Sequence, residues 1–232
     1  MTTTIHDLPA ARRPVILMTP DLRVPAQSWT EREYVVRANY AEAIAEAGGV
    51  PLILPYETKD VAAVLDLADG LLVTGSTPGA LVEPQRRAFE LDIIRHAVQV
   101  GKPLLGICHG MQLIGEWLGG TFADALPAPD GKPVAHMPAA IPDRPAHRIV
   151  LTEDSDLARC LGSLETEVNS LHLHALTGAG RFRVVARAED SLIEAFEGDT
   201  AGFCLGVQWH PEYRLTDFDR AVLRHFIERS AG

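Results

Sequence analysis

The sequence has too few cysteines for a disulfide framework: Cys108, Cys160 and Cys204 are an odd number in 232 residues, which fits a reducing compartment such as the cytoplasm. It has no surplus of base either. Lysine and arginine total 21 against 31 acidic residues, a formal charge of −10, and no basic run is present to neutralise a phosphate backbone. Nucleic acid is therefore not an expected partner. No stretch approaches the ~20 apolar residues that span a bilayer. The opening MTTTIHDLPAARRP lacks the charged-then-apolar order of a signal peptide, so neither membrane insertion nor export by that route is expected. The glycine pairs Gly48-Gly49 and Gly119-Gly120 stop helices and do not spell the G-x-G-x-x-G of a dinucleotide site.

What is present is ordinary core-forming material: 47% apolar and 22% charged residues, enough for the chain to fold on its own. Residues 1–13 carry no periodicity and are expected to form a loose tail, with residues 14–232 as a single domain. From Pro14, short apolar runs alternate with amphipathic stretches. PVILMT reads as a strand, EREYVVRANYAEAIAEA as a helix stopped by Gly48-Gly49, VPLILP as a strand, VAAVLDLAD as a short helix and GLLVTG as a third strand. Phe89, Ile93, Ile94, Ala97 and Val100 then repeat at helical spacing before the buried run PLLGI. Continuous apolar strands separated by helices predict a doubly wound, mostly parallel sheet covered on both faces.

Six prolines between residues 123 and 146 break the rhythm and predict a long surface loop or lid. HRIVLT, RFRVVARA, SLIEAFE and FCLGVQW follow at short intervals, which predicts antiparallel strands beside the parallel core. Thr216 opens the last helix, with Asp219 completing a capping box and Phe218, Val222, Phe226 and Ile227 facing inward.

The sharpest chemical signal is GICHGMQ, a G-x-C-x-G placed after the strand PLLGI and before the helical pattern MQLIGEWLGG. A tight strand-to-helix turn exposes its middle residue at the sheet's end, and Gly106 and Gly110 give neighbouring backbone room to approach. Cys108 thus sits at a helix N-terminus, where free N–H groups and the helix dipole favour negative charge on sulfur. The same N–H groups, that of His109 first, can hold an oxyanion, an interaction whose loss typically costs ~10² to 10³ in turnover. Cys204 and Cys160 lie in ordinary packing contexts. Of nine histidines, His210 stands out because QWHPE ends the strand FCLGVQW, leaving it at a sheet end like Cys108, with Glu212 two residues on to orient its ring.

His172 and His174 form an H-x-H that would set both rings on one face of a strand, a spacing a metal could use. No other ligand cluster has recognisable spacing, and no metal or other cofactor is expected. Arg86, Arg148 and Arg214 are candidate cations for a substrate carboxylate only by lying near predicted pocket loops, and are not placed in the site.

GICHGMQ followed about a hundred residues later by GVQWHPE resembles the class I glutamine amidotransferase-like hydrolases, whose fold is flavodoxin-like. The likeness to the γ-glutamyl-γ-aminobutyrate hydrolase branch extends through PVILMTP, YAEAIAEAGGVPLILP, PAHRIVLT and EVNSLH. It implies a Cys108–His210–Glu212 triad that cleaves a small γ-glutamyl amide through a thioester, in polyamine catabolism or a related path. It further implies a second oxyanion N–H near Gly75 and Ser76, and supporting or substrate-binding roles for Gly75, Gln112, Asn169, Ser170 and His172. A homodimer is also implied. The chain departs from the pattern at STPG after the third strand, at His109 where arginine is usual, and at Leu173-His174. Two alternatives use the same scaffold: a glutaminase subunit that delivers ammonia to a partner synthetase, and a catalytically silent binding protein.

Overall fold

The apolar run after Pro14 becomes β1 (Val15–Met18), and the chain then doubles back, Asp21–Arg23 (β2) pairing antiparallel with Glu33–Val35 (β3). Helix α1 (Ala38–Glu46) leads into β4 (Val50–Ile53), parallel to β1, and α2 (Val61–Asp66) into β5 (Gly70–Val73) on the other side of β1. Helix α3 (Pro84–Gln99) returns the chain to β6 (Leu104–Ile107), from which α4 (His109–Trp117) departs. The computed structural model describes residues 12–23, 31–56, 59–77, 82–123, 125–126, 131–137 and 143–232.

The helix expected over EREYVVRANYAEAIAEA starts only at Ala38. Its first half is the strand β3, where β-branched Val35 suits extended backbone. Tyr34 there packs edge-on against Tyr56 at 5.0 Å, and Tyr56 in turn meets Phe89 at 5.1 Å between centroids. Tertiary contact overrides local periodicity at this point.

In the second half, Phe122–Ala123 (β7) pairs with Ala175–Leu176 (β10), apart from the main sheet. Between them come β8 (His147–Leu151), α5 (Asp156–Leu161) and β9 (Glu165–Val168). Then follow β11 (Phe182–Ala188), β12 (Ile193–Gly198), β13 (Cys204–Val207) and, after a 3₁₀ turn at Pro211–Tyr213, α6 (Asp217–Ser230). The main sheet has nine strands in the order β4-β1-β5-β6-β13-β12-β11-β8-β9. Pairing is parallel from β4 to β13 and antiparallel from β13 to β9. The fold is therefore the expected α/β sheet, its core strands parallel, with antiparallel strands added from the C-terminal half.

Apolar side chains cover both faces. Ile44, Phe226, Val222 and Trp209 belong to one cluster, and Phe89, Ile93, Ile94 and Met111 to the other. Thr216 Oγ1 accepts from the Asp219 amide at 3.1 Å while Asp219 Oδ2 accepts from the Thr216 amide at 3.0 Å, the capping box expected of α6.

Of the expected loose tail, residues 1–11 lie outside the described residues. Arg12 is bidentate on Asp69 at 2.6 and 2.8 Å, and Arg13 donates to the carbonyls of Gly48 and Gly49. The Pro-rich segment 123–146 is described only in part. Between Ala123 and His147 the described residues contain no helix or strand.

Candidate active site

Strand register puts the key residues side by side. Val207 of β13 is level with Ile107 of β6, so Cys108 and the Gln208–His210 segment leave the sheet at the same edge. Cys108 takes φ 51° and ψ −104°, a left-handed turn residue between strand and helix. Its amide donates to the Val207 carbonyl at 2.8 Å, and its carbonyl receives the Gln112 amide at 3.0 Å. Holding a non-glycine residue there costs of order 1–3 kcal/mol, which the surrounding contacts must supply.

The small residues around the turn are dictated by space. A Cβ on Gly110 would lie 2.0 Å from the Val73 carbonyl oxygen, and one on Gly106 would lie 2.7 Å from the Gly110 carbonyl. Neither approach is possible with a side chain present.

His210, 1% exposed, points Nδ1 at Glu212 Oε1 at 2.7 Å. Burial alone would push the imidazole down. The Glu212 carboxylate and Cys108 outweigh it, and the ring is held up at about 10. Gly75 lies beside both residues: a Cβ on it would sit 3.0 Å from His210 Cε1 and 3.6 Å from Cys108 Cβ. Gly75 N donates to the Tyr40 hydroxyl at 3.0 Å. The phenol of Tyr40 is itself pushed well above its ordinary range by burial and then by the charges of Glu212 and Cys108. Neither the Ser76 nor the His109 amide enters a backbone hydrogen bond among the described residues, so both remain able to donate. Ser76 has no positive φ, and its side chain imposes no backbone strain.

A cleft of about 480 Å³ opens over this loop, with Arg23, Arg37, Tyr40, Gly75, Ser76 and Thr77 among its walls. Cys108 does not line that cleft and is 7% exposed. Arg23 is paired with Glu33, and Arg37 contacts Thr77 Oγ1 at 3.2 Å.

Several residues expected to touch substrate are instead built into the walls. Asn169 Nδ2 donates to the His210 carbonyl at 2.8 Å and Asn169 Oδ1 accepts from the His210 amide at 2.9 Å. Gln112 Nε2 bridges the His174 carbonyl and Gln208 Oε1, each at 3.1 Å. Asn169 therefore braces the His210 main chain, and Gln112 braces Gln208. Ser170 donates to the His136 carbonyl and His172 turns toward Glu194, in a separate buried cluster. The segment after β9 turns inward instead of continuing as a strand, so His172 and His174 do not share a face. The His174 ring packs on Phe122 at 5.7 Å.

The three arginines considered for a substrate carboxylate are also committed elsewhere. Arg148 pairs with Glu165 and Glu189, and Arg214 with Glu42 and Glu46. Arg86 is fully buried, bonded to Glu90, Asp21 and the Thr74 and Gly75 carbonyls. Burial opposes its charge, but Glu90 and Asp21 prevail and raise it. Glu90 is likewise held low by Arg86 and His109 against the effect of burial, and bonds Thr19 Oγ1 and His109 Nε2 at 2.6 and 2.8 Å. This buried network fixes the loop before Ser76 and the turn at His109 from below. Sequence reading did not find Tyr40 or Glu90. Both sit on helix faces that read simply as core.

A thiol at an elbow, a buried imidazole and a carboxylate in line with it form a set able to carry out nucleophilic acyl transfer. Among known proteins, the Peptidase C26 family model matches residues 14–212. A protein of Mycobacterium tuberculosis (strain ATCC 25618 / H37Rv), named only provisionally as a glutamine amidotransferase, is 36% identical across 96% of this chain and 76% of that one. The γ-glutamyl-γ-aminobutyrate hydrolase PuuD of Escherichia coli (strain K12) is 28% identical across 83% of this chain and 85% of its own length. The crystal structure of a glutamine amidotransferase from Thermotoga maritima superposes with a TM-score of 0.61 at 15% identity, covering 95% of this chain and 96% of that one. Among the described residues no helix is long and apolar enough to cross a membrane.

Proposed function

The chain belongs to the Peptidase C26 family, among the class I glutamine amidotransferase-like proteins, and on that premise we propose that it hydrolyses a γ-glutamyl amide with Cys108 as nucleophile. The observation that carries this reading is His210, held at 2.7 Å by Glu212 and raised by the charges of Glu212 and Cys108. An imidazole in that setting can take the proton of the sulfur nucleophile and hand it to a leaving group.

The steps follow from these groups. Cys108 Sγ attacks the γ-carbonyl carbon, and the resulting oxyanion is held by the Ser76 and His109 amides. His210 gives its proton to the leaving amine as the C–N bond breaks, which leaves a γ-glutamyl thioester. A water then passes a proton to His210 and attacks the thioester, releasing the carboxylic acid and the thiolate. The substrate's α-carboxylate is met by Arg37, the cleft arginine without a carboxylate partner among the described residues. The three free cysteines support a reducing, cytoplasmic setting for this thiol chemistry.

Two relatives carrying the name glutamine amidotransferase favour a second reading, a glutaminase whose ammonia passes to a partner enzyme. One assay separates the two. Purified protein is incubated with glutamine and a panel of γ-glutamyl amines, with Cys108→Ala as control, and released ammonia or amine is measured. The first reading expects turnover of one γ-glutamyl amine well above glutamine, abolished in Cys108→Ala. Activity confined to glutamine supports the second, and full activity in Cys108→Ala overturns both.

A further inference from the structure

Glu194 on β12 is fully buried, and neither of its carboxylate oxygens has a hydrogen-bond partner among the described residues. Three buried imidazoles close on its Oε1: His136 Nδ1 at 3.4 Å, His147 Nε2 at 3.6 Å and His172 Nε2 at 3.6 Å. The His136 ring lies 4.9 Å from that of His147 and 4.7 Å from that of His172, centroid to centroid. A buried carboxylate left without donors is costly, and this one is surrounded by groups that could have supplied them.

The other nitrogen of each ring explains why they do not. His136 Nε2 is 2.9 Å from Asp190 Oδ2, His147 Nδ1 is 3.2 Å from the Arg148 carbonyl, and His172 Nδ1 is 3.0 Å from the His174 carbonyl. Each of those acceptors calls for an N–H, so in the neutral ring the nitrogen facing Glu194 carries a lone pair. Ser170 leaves this unchanged: its hydroxyl donates to the His136 carbonyl at 2.9 Å, and its oxygen stands 3.4 Å from His136 Nδ1. The lone pairs thus face the carboxylate. The distances of His136 and His147 to its Oε1, 3.4 and 3.6 Å, are long for hydrogen bonds but close to the ~3.4 Å edge of a tetrahedron with ~2.1 Å metal–ligand bonds.

We propose that His136, His147 and Glu194 bind a zinc ion as a structural site. Their donor atoms lie within 4.8 Å of one another. Two imidazoles and a carboxylate are donors that zinc takes, and the carboxylate and carbonyl behind the rings orient them as metal-bound histidines are usually oriented. His172 stands beside the same carboxylate oxygen at 3.6 Å. The ion is a staple joining the 131–137 segment, β8 and β12. This inference is independent of the reaction assigned to Cys108.

The test is metal content of tag-free protein after dialysis against equimolar zinc and then buffer. About one zinc per chain is expected in the wild type and in Cys108→Ala. Glu194→Gln and His147→Gln are expected to bind zinc at least about tenfold more weakly. Chelator-stripped wild type should melt at least about 5 °C lower and recover on adding zinc. Should either variant fail to fold, cobalt added to stripped wild type decides: a tetrahedral visible spectrum without a thiolate charge-transfer band is expected. Absence of bound metal, zinc lost with Cys108→Ala but kept in Glu194→Gln, or a thiolate–cobalt band each overturns the proposal.

Discussion

Asn169 holds His210 by both ends of one side-chain amide, donating to its carbonyl at 2.8 Å and accepting from its amide at 2.9 Å. The pair fixes the main chain of the base from a segment far away in sequence, whereas Glu212 fixes the ring. Asn169→Ala removes both bonds and leaves the buried His210 amide unpaired, while the His210 carbonyl keeps the Tyr213 amide at 3.3 Å, at a cost of about 1–3 kcal/mol. The rate effect should exceed the binding effect: kcat falling by about 10²-fold with KM changed little, measured on the preferred γ-glutamyl amide. Asn169→Asp keeps the acceptor and loses the donor, and should fall between. Equal losses in kcat and in substrate affinity would mean that Asn169 touches substrate after all.

The raised imidazole makes stability pH-dependent in a definite direction. His210 binds its proton up to about 10 in the folded chain, against an ordinary 6.5. The folded state therefore holds a proton that the unfolded chain releases, so this stabilisation is complete below about 6.5 and drains away as pH rises toward about 10. Glu212→Gln removes the largest group holding the ring up. Its Tm should decline less than that of the wild type between pH 6.5 and 10, and its kcat should drop on the order of 10² to 10⁴. Parallel melting curves across that range would remove the imidazolium from the account.

Cys108 occupies φ 51°, ψ −104°, backbone that glycine adopts without penalty. Cys108→Gly should therefore be more stable than Cys108→Ala, by about 1 kcal/mol in urea denaturation, although both lack the thiol. Equal stabilities would show that the elbow carries no strain.

Arg37→Ala is expected to raise KM by about tenfold while leaving kcat within a fewfold, the pattern of a group that binds the unreactive end of a substrate. Steady-state kinetics with a γ-glutamyl amide and with its analogue lacking the α-carboxylate checks this. If both substrates suffer alike, Arg37 does not meet that carboxylate.

Much of this architecture was legible in the chain because it is local. The elbow at Gly106–Gly110 needs only a strand, two small residues and a helix, all contiguous, and the α6 cap needs only Thr216 and Asp219. The early helix was misread over Glu33–Val35 because the contact of Tyr34 with Tyr56 outweighs a local periodicity. The histidine cluster was invisible for a different reason. Its donors come from three separate segments, and His172-x-His174, the one pair that looked like a ligand motif, contributes none of them. Asn169 and Gln112, expected near substrate, bond His210 and Gln208, and Arg86, not placed in the site, is buried against Glu90, since sequence proximity cannot tell a side chain facing the cleft from one braced behind it.

The capping box of α6 has one further bond. Asp219 Oδ1 also accepts from Trp209 Nε1 at 3.1 Å, so the residue preceding His210 is tied to the first turn of the last helix. That bond makes α6 a lever on the base. A partner gripping the helix, or a substitution on its outer face that tilts it, would be felt at His210 without any change in the cleft, giving evolution or an engineer a remote dial for turnover that leaves substrate choice alone.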